Sequence, residues 1–260
     1  MTSLKVLVLN LMPHKQATER QIKALATGMV QPPAFTFMYP ASHRFKNPAI
    51  MPYLQAHYVT FDQIVAQQFD GLIVTGTPVE TLPFPQVDYW AELSRLLDWA
   101  ATHVAKSLYL CWGAQAALQH DYHLEKQLVP AKIFGVFQHE PRQAAPLFQG
   151  LTTPFYMPHS RHTTLRTADV LATPGLNLLV DDPVAGPVIM QSQNGRRTYI
   201  SGHPEYATQT LAQEYQRDRQ AGLTIALPQH YFQANDPKQP VINRWQVASR
   251  QLFRNWLLAK

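Results

Sequence analysis

The chain has 260 residues, 46% of them hydrophobic, which suffices for one α/β domain with a sizeable core. Lysine and arginine number 22 against 17 acidic residues, and this net charge of +5 is spread along the sequence, which favours a small anionic ligand over nucleic acid. No stretch approaches the roughly 18 apolar residues of a membrane span, and the single cysteine excludes an intramolecular disulfide and a cysteine-rich metal site. We therefore expect a single domain over residues 1–260, in the reducing cytoplasm, with no metal and no nucleic-acid or membrane partner.

The first half of the sequence alternates strands with helices. A nearly continuous apolar run at 4–9 predicts a strand buried on both faces. Thr18 and Gln21, at the spacing of a capping box, predict a helix that continues to about Met29. The next predicted elements are a strand at 35–39, a short helix at 60–69, a strand from 71 and a helix at 89–105. This alternation predicts a doubly wound, mostly parallel sheet whose ligands bind at the carboxyl ends of its strands.

Residues 108–116, Leu-Tyr-Leu-Cys-Trp-Gly-Ala-Gln-Ala, place the only cysteine where an apolar strand gives way to a helix. A large apolar run, a sharp turn and then small residues are typical of a nucleophile elbow. The unpaired N–H groups of the helix N-terminus would favour the Cys111 thiolate and hold a developing oxyanion. A free cysteine is commonly just a small buried hydrophobic residue, but the strand-to-helix position favours catalysis. Asn10 and 75–80 also follow predicted strands, so we expect three loops to converge on one crevice.

The second half predicts an antiparallel extension of the sheet. Strands are predicted at 132–137, 155–163, 176–180, 188–192 and 197–200, with Asn194-Gly195 as a hairpin turn. Later predicted segments are a helix at about 208–221, an irregular stretch at 228–240 and a closing amphipathic helix at 243–258.

Gly202-His-Pro-Glu supplies a base and a carboxylate within four residues. His203 would deprotonate the cysteine, and Glu205, two residues on in an extended segment, would project to the same side and fix the imidazole tautomer. The alternative is that His203 caps the next helix and Glu205 is a solvated first-turn acid. Combined with the elbow, the sequence favours a catalytic triad of Cys111, His203 and Glu205.

The combination of Cys111 with His203 and Glu205 resembles the active sites of two families. Cys-x-Gly-x-Gln with a later His-Pro-Glu resembles the class I glutamine amidotransferases, whereas motifs outside the triad resemble the homoserine O-acyltransferase family. Those motifs are Asn10-Leu-Met-Pro, Thr75-Gly-Thr-Pro-Val-Glu, Tyr89-Trp-Ala-Glu-Leu, Cys111-Trp-Gly-Ala-Gln-Ala, Lys132-Ile-Phe-Gly-Val-Phe, Pro158-His-Ser-Arg-His-Thr, Gly202-His-Pro-Glu-Tyr, Glu214-Tyr-Gln-Arg-Asp, and Arg244-Trp with Asn255-Trp-Leu. The second resemblance covers nearly the whole chain. It implies an amidotransferase-like, flavodoxin-like fold, a homodimer, no permanently bound cofactor, and a thiol that carries an acyl group from coenzyme A to an amino-acid hydroxyl.

The same resemblance implies residue roles. Cys111 would carry the acyl group, and Lys132, Ser160 and Arg217 would contact the substrate. The guanidinium of Arg217 suits the carboxylate of an amino-acid acceptor, and Lys132 would add a point charge nearby. Without the resemblance these would be ordinary surface cations and a strand hydroxyl. The N–H of Trp112 and one N–H of the 11–12 loop are the expected oxyanion donors.

Glu80 bears on the acyl donor. In the resembled family this position is small in members that transfer succinyl groups and glutamate in members that transfer acetyl groups. A glutamate there would fill space and repel the terminal carboxylate of a succinyl group. We therefore expect acetyl-CoA as the co-substrate, with succinyl-CoA as the alternative donor and a solvated loop acid as the alternative role of Glu80.

The expected acceptor is L-serine or L-homoserine, in cysteine or methionine biosynthesis, with a slight preference for serine. The sequence lacks the family's N-terminal arm and tyrosine-rich tail, and Thr164 and Ala248 replace an acidic residue and a histidine. Short members of the family resemble serine acetyltransferases, and one methylene is worth only about 1–3 kcal/mol in a pocket. Two other classes stay open. One is an amidotransferase or cysteine hydrolase, which would need a synthetase partner, and the other is an inactive amino-acid-binding protein, against which the intact triad argues.

Overall fold

The computed structural model describes residues 3–259, within which nine strands and eight helices occur. The strands are β1 (Lys5–Leu9), β2 (Ala34–Met38), β3 (Phe69–Val74), β4 (Val104–Leu110), β5 (Gln127–His139), β6 (Phe155–Thr164), β7 (Leu176–Asp182), β8 (Gly186–Ser192) and β9 (Arg197–Ile200). The helices are α1 (Lys15–Leu25), α2 (Met51–His57), α3 (Phe61–Ile64), α4 (Trp90–His103), α5 (Trp112–Tyr122), α6 (Thr167–Ala172), α7 (Thr210–Gln220) and α8 (Gln246–Leu258).

Seven strands form one sheet in the order β2-β1-β3-β4-β9-β8-β7. The first five are parallel, and β8 and β7 continue the sheet in antiparallel pairing. Leu7 and Leu9 of β1 pack in the core with α4 and α5, whereas Val6 and Val8 pack in the core with α1 and α8. Because both faces of β1 are covered, its sequence is continuously apolar. The doubly wound, mostly parallel sheet is confirmed.

The antiparallel part of the structure differs from its prediction. Only β7 and β8 extend the main sheet, and β5 and β6 pair with each other in a separate two-stranded sheet. Their apolar residues, including Phe137, Phe155 and Met157, pack side-on into the core of the main sheet. The prediction that 132–137 and 155–163 begin the extension of the main sheet was therefore wrong. The apolar side chains of these strands are buried by packing against the main sheet, whereas their backbones pair with each other and not with its edge.

The first helix begins three residues earlier than its predicted cap. Thr18 lies inside α1, where its hydroxyl donates to the carbonyl of His14 at 3.3 Å, and Gln21 donates across the molecule to Thr210 at 2.9 Å. The predicted capping box is wrong because a threonine inside a helix satisfies its hydroxyl on the preceding turn. A capping box occurs instead at Thr60 and Gln63, before α3. None of the helices found between residues 3 and 259 has the length and apolar character needed to cross a membrane.

Loops at the carboxyl ends of neighbouring parallel strands meet at one edge of the sheet. Thr75, after β3, donates its backbone N–H to Leu9 of β1 and accepts the Leu11 N–H on its hydroxyl at 2.8 Å. Cys111, after β4, donates its backbone N–H to Ile200 of β9 at 2.7 Å. The crevice expected at this edge is therefore built from loops that are hydrogen-bonded to one another.

Candidate active site

Cys111 stands at a sharp turn between β4 and α5. Its backbone has φ 49° and ψ −116°, a conformation that L-residues other than glycine rarely adopt, and its carbonyl accepts the N–H groups of Ala114 and Gln115. A Cβ on Gly113 would lie 2.7 Å from the Thr75 carbonyl oxygen, so only glycine permits α5 to start this close to β3. The strained turn directs the Cys111 side chain at the sheet edge, as an elbow requires.

The structure brings the imidazole of His203 to this cysteine. A Cβ on Gly76 would lie 3.4 Å from His203 Cε1 and 3.7 Å from Cys111 Sγ, so the His203 and Cys111 side chains both adjoin Gly76. His203 Nδ1 and Glu205 Oε1 are 2.7 Å apart, and both side chains are almost fully buried. The backbone N–H of His203 donates to the Pro158 carbonyl at 2.8 Å, which anchors this segment to β6. The three predicted triad residues therefore lie in one cluster.

The surroundings of His203 favour its protonated form. Burial alone lowers the pKa of His203, but the charges of Cys111 and Glu205 and hydrogen bonds to both side chains raise it well above its usual value. The ring of Tyr206 stacks on the imidazole with 4.0 Å between ring centroids and 16° between planes. A protonated imidazole beside a cysteine sulfur stabilises a thiolate, which is the nucleophilic form of a cysteine.

The predicted substrate residues surround a carboxylate to which the sequence analysis assigned no role. Glu214 Oε1 lies 2.5 Å from Lys132 Nζ and accepts the Ser160 hydroxyl at 2.6 Å. Arg217 lies one turn further along α7, with Nη2 at 3.8 Å from Glu214 Oε1 and 2.6 Å from Asp218 Oδ1. More than half of the Arg217 side chain is exposed. Two sequence signals pointed to Glu214: it is the first residue of the motif Glu214-Tyr-Gln-Arg-Asp, and its spacing of three residues from Arg217 puts both on one helix face.

We call Lys132, Ser160, Glu214 and Arg217 the acceptor cluster, after the role predicted for three of them, and Tyr206 links this cluster to the triad. Burial first, and then the negative charges of Glu214, Glu205, Cys111 and Glu80, raise the pKa of its hydroxyl well above the usual value. Four acidic groups from four segments therefore act on a single buried side chain. Strand β6 contacts the same groups, because Pro158 accepts the His203 N–H, Ser160 donates to Glu214 and His162 donates to Glu80.

Glu80 is hydrogen-bonded to β6 and lies near two cations. Its Oε1 accepts the backbone N–H of His162 at 2.9 Å. Arg161 is 1% exposed, donates to the carbonyls of Thr163 and Ala185, and leaves its Nε without a partner. Burial lowers the pKa of Arg161 to about 10, and the charges of Cys111, Glu80 and Asp182 oppose that shift.

Lys126 is the second cation near Glu80. Its Nζ donates to the Leu82 carbonyl at 2.6 Å and lies 4.3 Å from the centre of the Phe84 ring. Burial lowers the pKa of Lys126 to about 8, and the charge of Glu80 opposes that shift. No role was predictable for Arg161 and Lys126, because only the folded structure brings them close to Glu80.

The backbone donors near Cys111 differ from those expected. The N–H of Leu11 donates to the Thr75 hydroxyl, and the N–H of Met12 donates to Asn10 Oδ1 at 3.1 Å, so the expectation of a free donor in this loop does not hold. Trp112 lies in the first turn of α5, where backbone N–H groups have no acceptor in their own helix. In residues 3–259 the N–H of Gly76 also has no hydrogen-bond partner. Within the same residues, no group of three or more His, Cys, Asp or Glu side chains could hold a metal ion.

The sequence is similar to known acyltransferases over its whole length. The family model described as homoserine O-succinyltransferase matches residues 1–259. The homoserine O-acetyltransferase of Synechococcus sp. (strain ATCC 27144 / PCC 6301 / SAUG 1402/1) is 46% identical over 256 residues, which are 98% of this chain and 85% of that protein. The homoserine O-acetyltransferase of Desulfitobacterium hafniense (strain Y51) is 42% identical over 255 residues, which are 98% of this chain and 83% of that protein.

Solved structures confirm the class of fold. A glutamine amidotransferase from Methylobacillus flagellatus has a TM-score of 0.61 at 12% identity and covers 99% of this chain and 94% of its own. A glutamine amidotransferase from Thermotoga maritima has a TM-score of 0.60 at 10% identity, with both chains fully covered. At such low identity the likeness concerns the fold alone, which is that of the class I glutamine amidotransferases.

Proposed function

The chain belongs to the homoserine O-succinyltransferase family and is an acyltransferase, and on this premise we propose that it transfers an acetyl group from acetyl-CoA to the hydroxyl of a small amino acid. The observation that carries the proposal is Cys111 at the elbow, adjoining the hydrogen-bonded His203–Glu205 pair. A nucleophile, a base and a group that orients the base are what covalent acyl transfer requires. The neighbouring acceptor cluster supplies charges for an amino acid.

In the proposed first half-reaction, the Cys111 thiolate attacks the thioester carbon of acetyl-CoA and a new S–C bond forms. The negative charge moves to the carbonyl oxygen, where the N–H groups of Trp112 and Gly76 are the available donors. When this intermediate collapses, the bond between carbon and the sulfur of coenzyme A breaks. His203 gives its proton to the leaving thiolate, and the acetyl group stays on Cys111.

In the second half-reaction, the acceptor hydroxyl attacks the acetyl carbon and loses its proton to His203. Collapse of the second intermediate breaks the bond to Cys111, which leaves as a thiolate next to the imidazolium, so the resting state is restored. The reaction is therefore ping-pong. Burial of His203 and Glu205 keeps bulk water from the base, which limits hydrolysis of the acetyl-enzyme.

The acceptor cluster fits the two charged groups of an amino acid. Glu214 would accept the ammonium group, and the exposed guanidinium of Arg217 would bind the carboxylate in two-pronged fashion, with Lys132 and Ser160 completing the contacts. The relatives named homoserine O-acetyltransferases support L-homoserine as the acceptor. In the part of the chain that the structure describes, Thr164 bonds only to backbone carbonyls and Ala248 packs against the main core. Neither of these contacts involves the acceptor cluster, so the two departures from the family do not by themselves favour the shorter L-serine. L-serine is the competing acceptor to test.

Glu80 supports acetyl-CoA over succinyl-CoA. A succinyl group on Cys111 would carry a second carboxylate toward the space that the Glu80 carboxylate occupies, and two like charges there repel each other. The donors that would suit a succinyl carboxylate, namely the His162 N–H and the cations of Arg161 and Lys126, already act on Glu80. The acetyl group has no charge and needs none of them.

The test is to mix the pure protein with acetyl-CoA alone and measure its intact mass. We expect a gain of one acetyl group that is absent in Cys111→Ala and that disappears on addition of the acceptor. Glutamine hydrolysis without acetylation would instead support an amidotransferase, and no reaction with either compound would support a binding protein. Competition of L-serine with L-homoserine, expressed as the ratio of kcat/KM values, then decides the acceptor.

A further inference from the structure

A short connection, residues 206–209, which we call the turn, joins the triad to the helix of the acceptor cluster. It follows Glu205 directly and leads into α7, which carries Glu214 and Arg217. The position of this turn therefore sets the triad and the acceptor cluster relative to each other. Its backbone and side chains are bound by a segment from much later in the chain, residues 231–245, which we call the strap.

Three strap side chains hold the turn. The indole N–H of Trp245 donates to the Tyr206 carbonyl at 2.8 Å. Asn243 Nδ2 donates to the Thr208 hydroxyl at 2.8 Å, and the hydroxyl of Tyr231 donates to the Thr208 carbonyl. Trp245 is completely buried. These are specific polar contacts in an otherwise apolar cluster, and each orients the group it binds.

The strap itself is fixed to the rest of the site. Just before it, the N–H of Gln229 donates to the Phe134 carbonyl at 2.9 Å, and the Gln229 carbonyl accepts the Val136 N–H at 2.8 Å. This backbone pairing needs glycine at 135, because a Cβ there would lie 2.6 Å from the Gln229 nitrogen. The strap therefore begins directly after a residue that is hydrogen-bonded to β5 on both sides of Gly135.

We propose that Trp245 is a positioning residue for His203 and acts through Tyr206. Its indole N–H fixes the peptide of Tyr206, and this places the Tyr206 ring flat on the imidazole. The face of an aromatic ring attracts a cation, most strongly in a site without water. The stack therefore favours the imidazolium and, with it, the thiolate of Cys111.

The test compares two buried tryptophans by the pH dependence of Cys111 alkylation with iodoacetamide. Trp245→Phe keeps an aromatic ring but removes the N–H that binds Tyr206. Trp256→Phe is the matched control, because Trp256 Nε1 is buried without a partner and its removal breaks no hydrogen bond. We expect the alkylation midpoint of Trp245→Phe to move to higher pH by about one unit, equivalent to about tenfold slower alkylation below the midpoint, and that of Trp256→Phe to stay unchanged.

A second pair of variants shows whether Trp245 acts through Tyr206. Tyr206→Phe keeps the stack and is expected to keep the midpoint, whereas Tyr206→Leu removes the stack and is expected to move it as Trp245→Phe does. The double variant Trp245→Phe with Tyr206→Leu should match Tyr206→Leu alone, because both changes remove one interaction. Additive shifts in the double variant, or a midpoint of Trp245→Phe equal to that of the control, would overturn the proposal. Circular dichroism and urea unfolding first establish that each variant is folded, because the cysteine of unfolded protein is alkylated with the midpoint of an ordinary thiol and would imitate the expected shift.

This inference rests on the proposed pairing of Cys111 with His203, but its test uses neither an acyl donor nor an acceptor. If acetyl-CoA fails to acetylate the protein and the Trp245→Phe midpoint still moves, the proposed function is wrong and the positioning role stands. If acetylation occurs and the midpoint does not move, the reverse holds.

Discussion

The contact between His203 and Glu205 gives the sharpest prediction. Their polar atoms are 2.7 Å apart, and both side chains are almost fully buried, so solvent screens the pair only weakly. Glu205→Gln removes the negative charge but keeps the shape of the side chain. The second oxygen, Oε2, is buried without a partner, so the amide nitrogen of a glutamine would find no acceptor there.

The magnitude follows from the distance. At 2.7 Å and an effective dielectric constant of about 20, Coulomb's law gives an attraction of about 6 kcal/mol between two full charges. The amide oxygen of glutamine still accepts a hydrogen bond, which restores about 1 kcal/mol. The remaining loss of about 5 kcal/mol corresponds to a decrease of about 10³- to 10⁴-fold in kcat/KM, since about 1.4 kcal/mol is one power of ten.

The assay is the rate of Cys111 acetylation by acetyl-CoA, followed by intact mass, together with steady-state kcat/KM for the acceptor. Glu125→Gln is the matched control, because Glu125 is exposed and should lose nothing. Circular dichroism and urea unfolding report whether Glu205→Gln folds. A folded Glu205→Gln that keeps more than about one tenth of the activity would refute the reasoning, since less than 1.4 kcal/mol would then depend on the charge.

Four further variants test other parts of the structure. Glu80→Gly should allow succinylation of Cys111 by succinyl-CoA, and an unchanged donor preference would count against charge repulsion. Arg217→Ala should raise the KM of the acceptor far more than the KM of acetyl-CoA, whereas equal increases would remove it from the acceptor site. Gly113→Ala should lower the free energy of unfolding by about 1–3 kcal/mol in urea melts, because its Cβ would overlap two backbone carbonyl oxygens, at 2.7 and 2.8 Å. Burial raises the pKa of Asp121, but hydrogen bonds and the Arg197 charge outweigh this and lower it below 3.8, so its stabilising contribution is complete above that value and lost as the pH falls through the folded-state pKa. Asp121→Asn should therefore cost about 3 kcal/mol of unfolding free energy at pH 8 and more at pH 5, because the hydrogen bond and charge of Asp121 also raise the pKa of His120, and that contribution is lost as the pH rises through the folded-state pKa of His120; equal costs at the two pH values would contradict the assignment.

The elbow was predictable because its signals are local. An apolar strand, a single cysteine and small residues at the start of a helix occur within nine residues, and the fold constrains each of them directly. The pair His203 and Glu205 was predictable for the same reason, because two residues of separation in an extended segment determine the side on which both project.

Features that depend on distant contacts were not predictable in this way. Alternating apolar residues indicated that β5 and β6 are strands, but their partner depends on tertiary packing, and they pair with each other. Thr18 and Gln21 matched a local pattern that the helix overrode by starting at Lys15. The contacts of Glu214 with Lys132 and Ser160, and the proximity of Arg161 to Glu80, join residues more than fifty positions apart, so a local pattern does not predict them.

The carboxylate of Glu80 has a further consequence for the evolution of donor choice. Because it is tethered to the same chain as its binding partners, it competes for them at an effective concentration on the order of millimolar, which a free dicarboxylate in solution rarely exceeds. If the proposed donor is correct, Glu80 would exclude longer acyl chains that carry a carboxylate by occupying the groups that could bind it. Substitution of this one residue would then free the His162 N–H and the nearby Arg161 and Lys126 charges for a new acyl group without any new contact having to evolve.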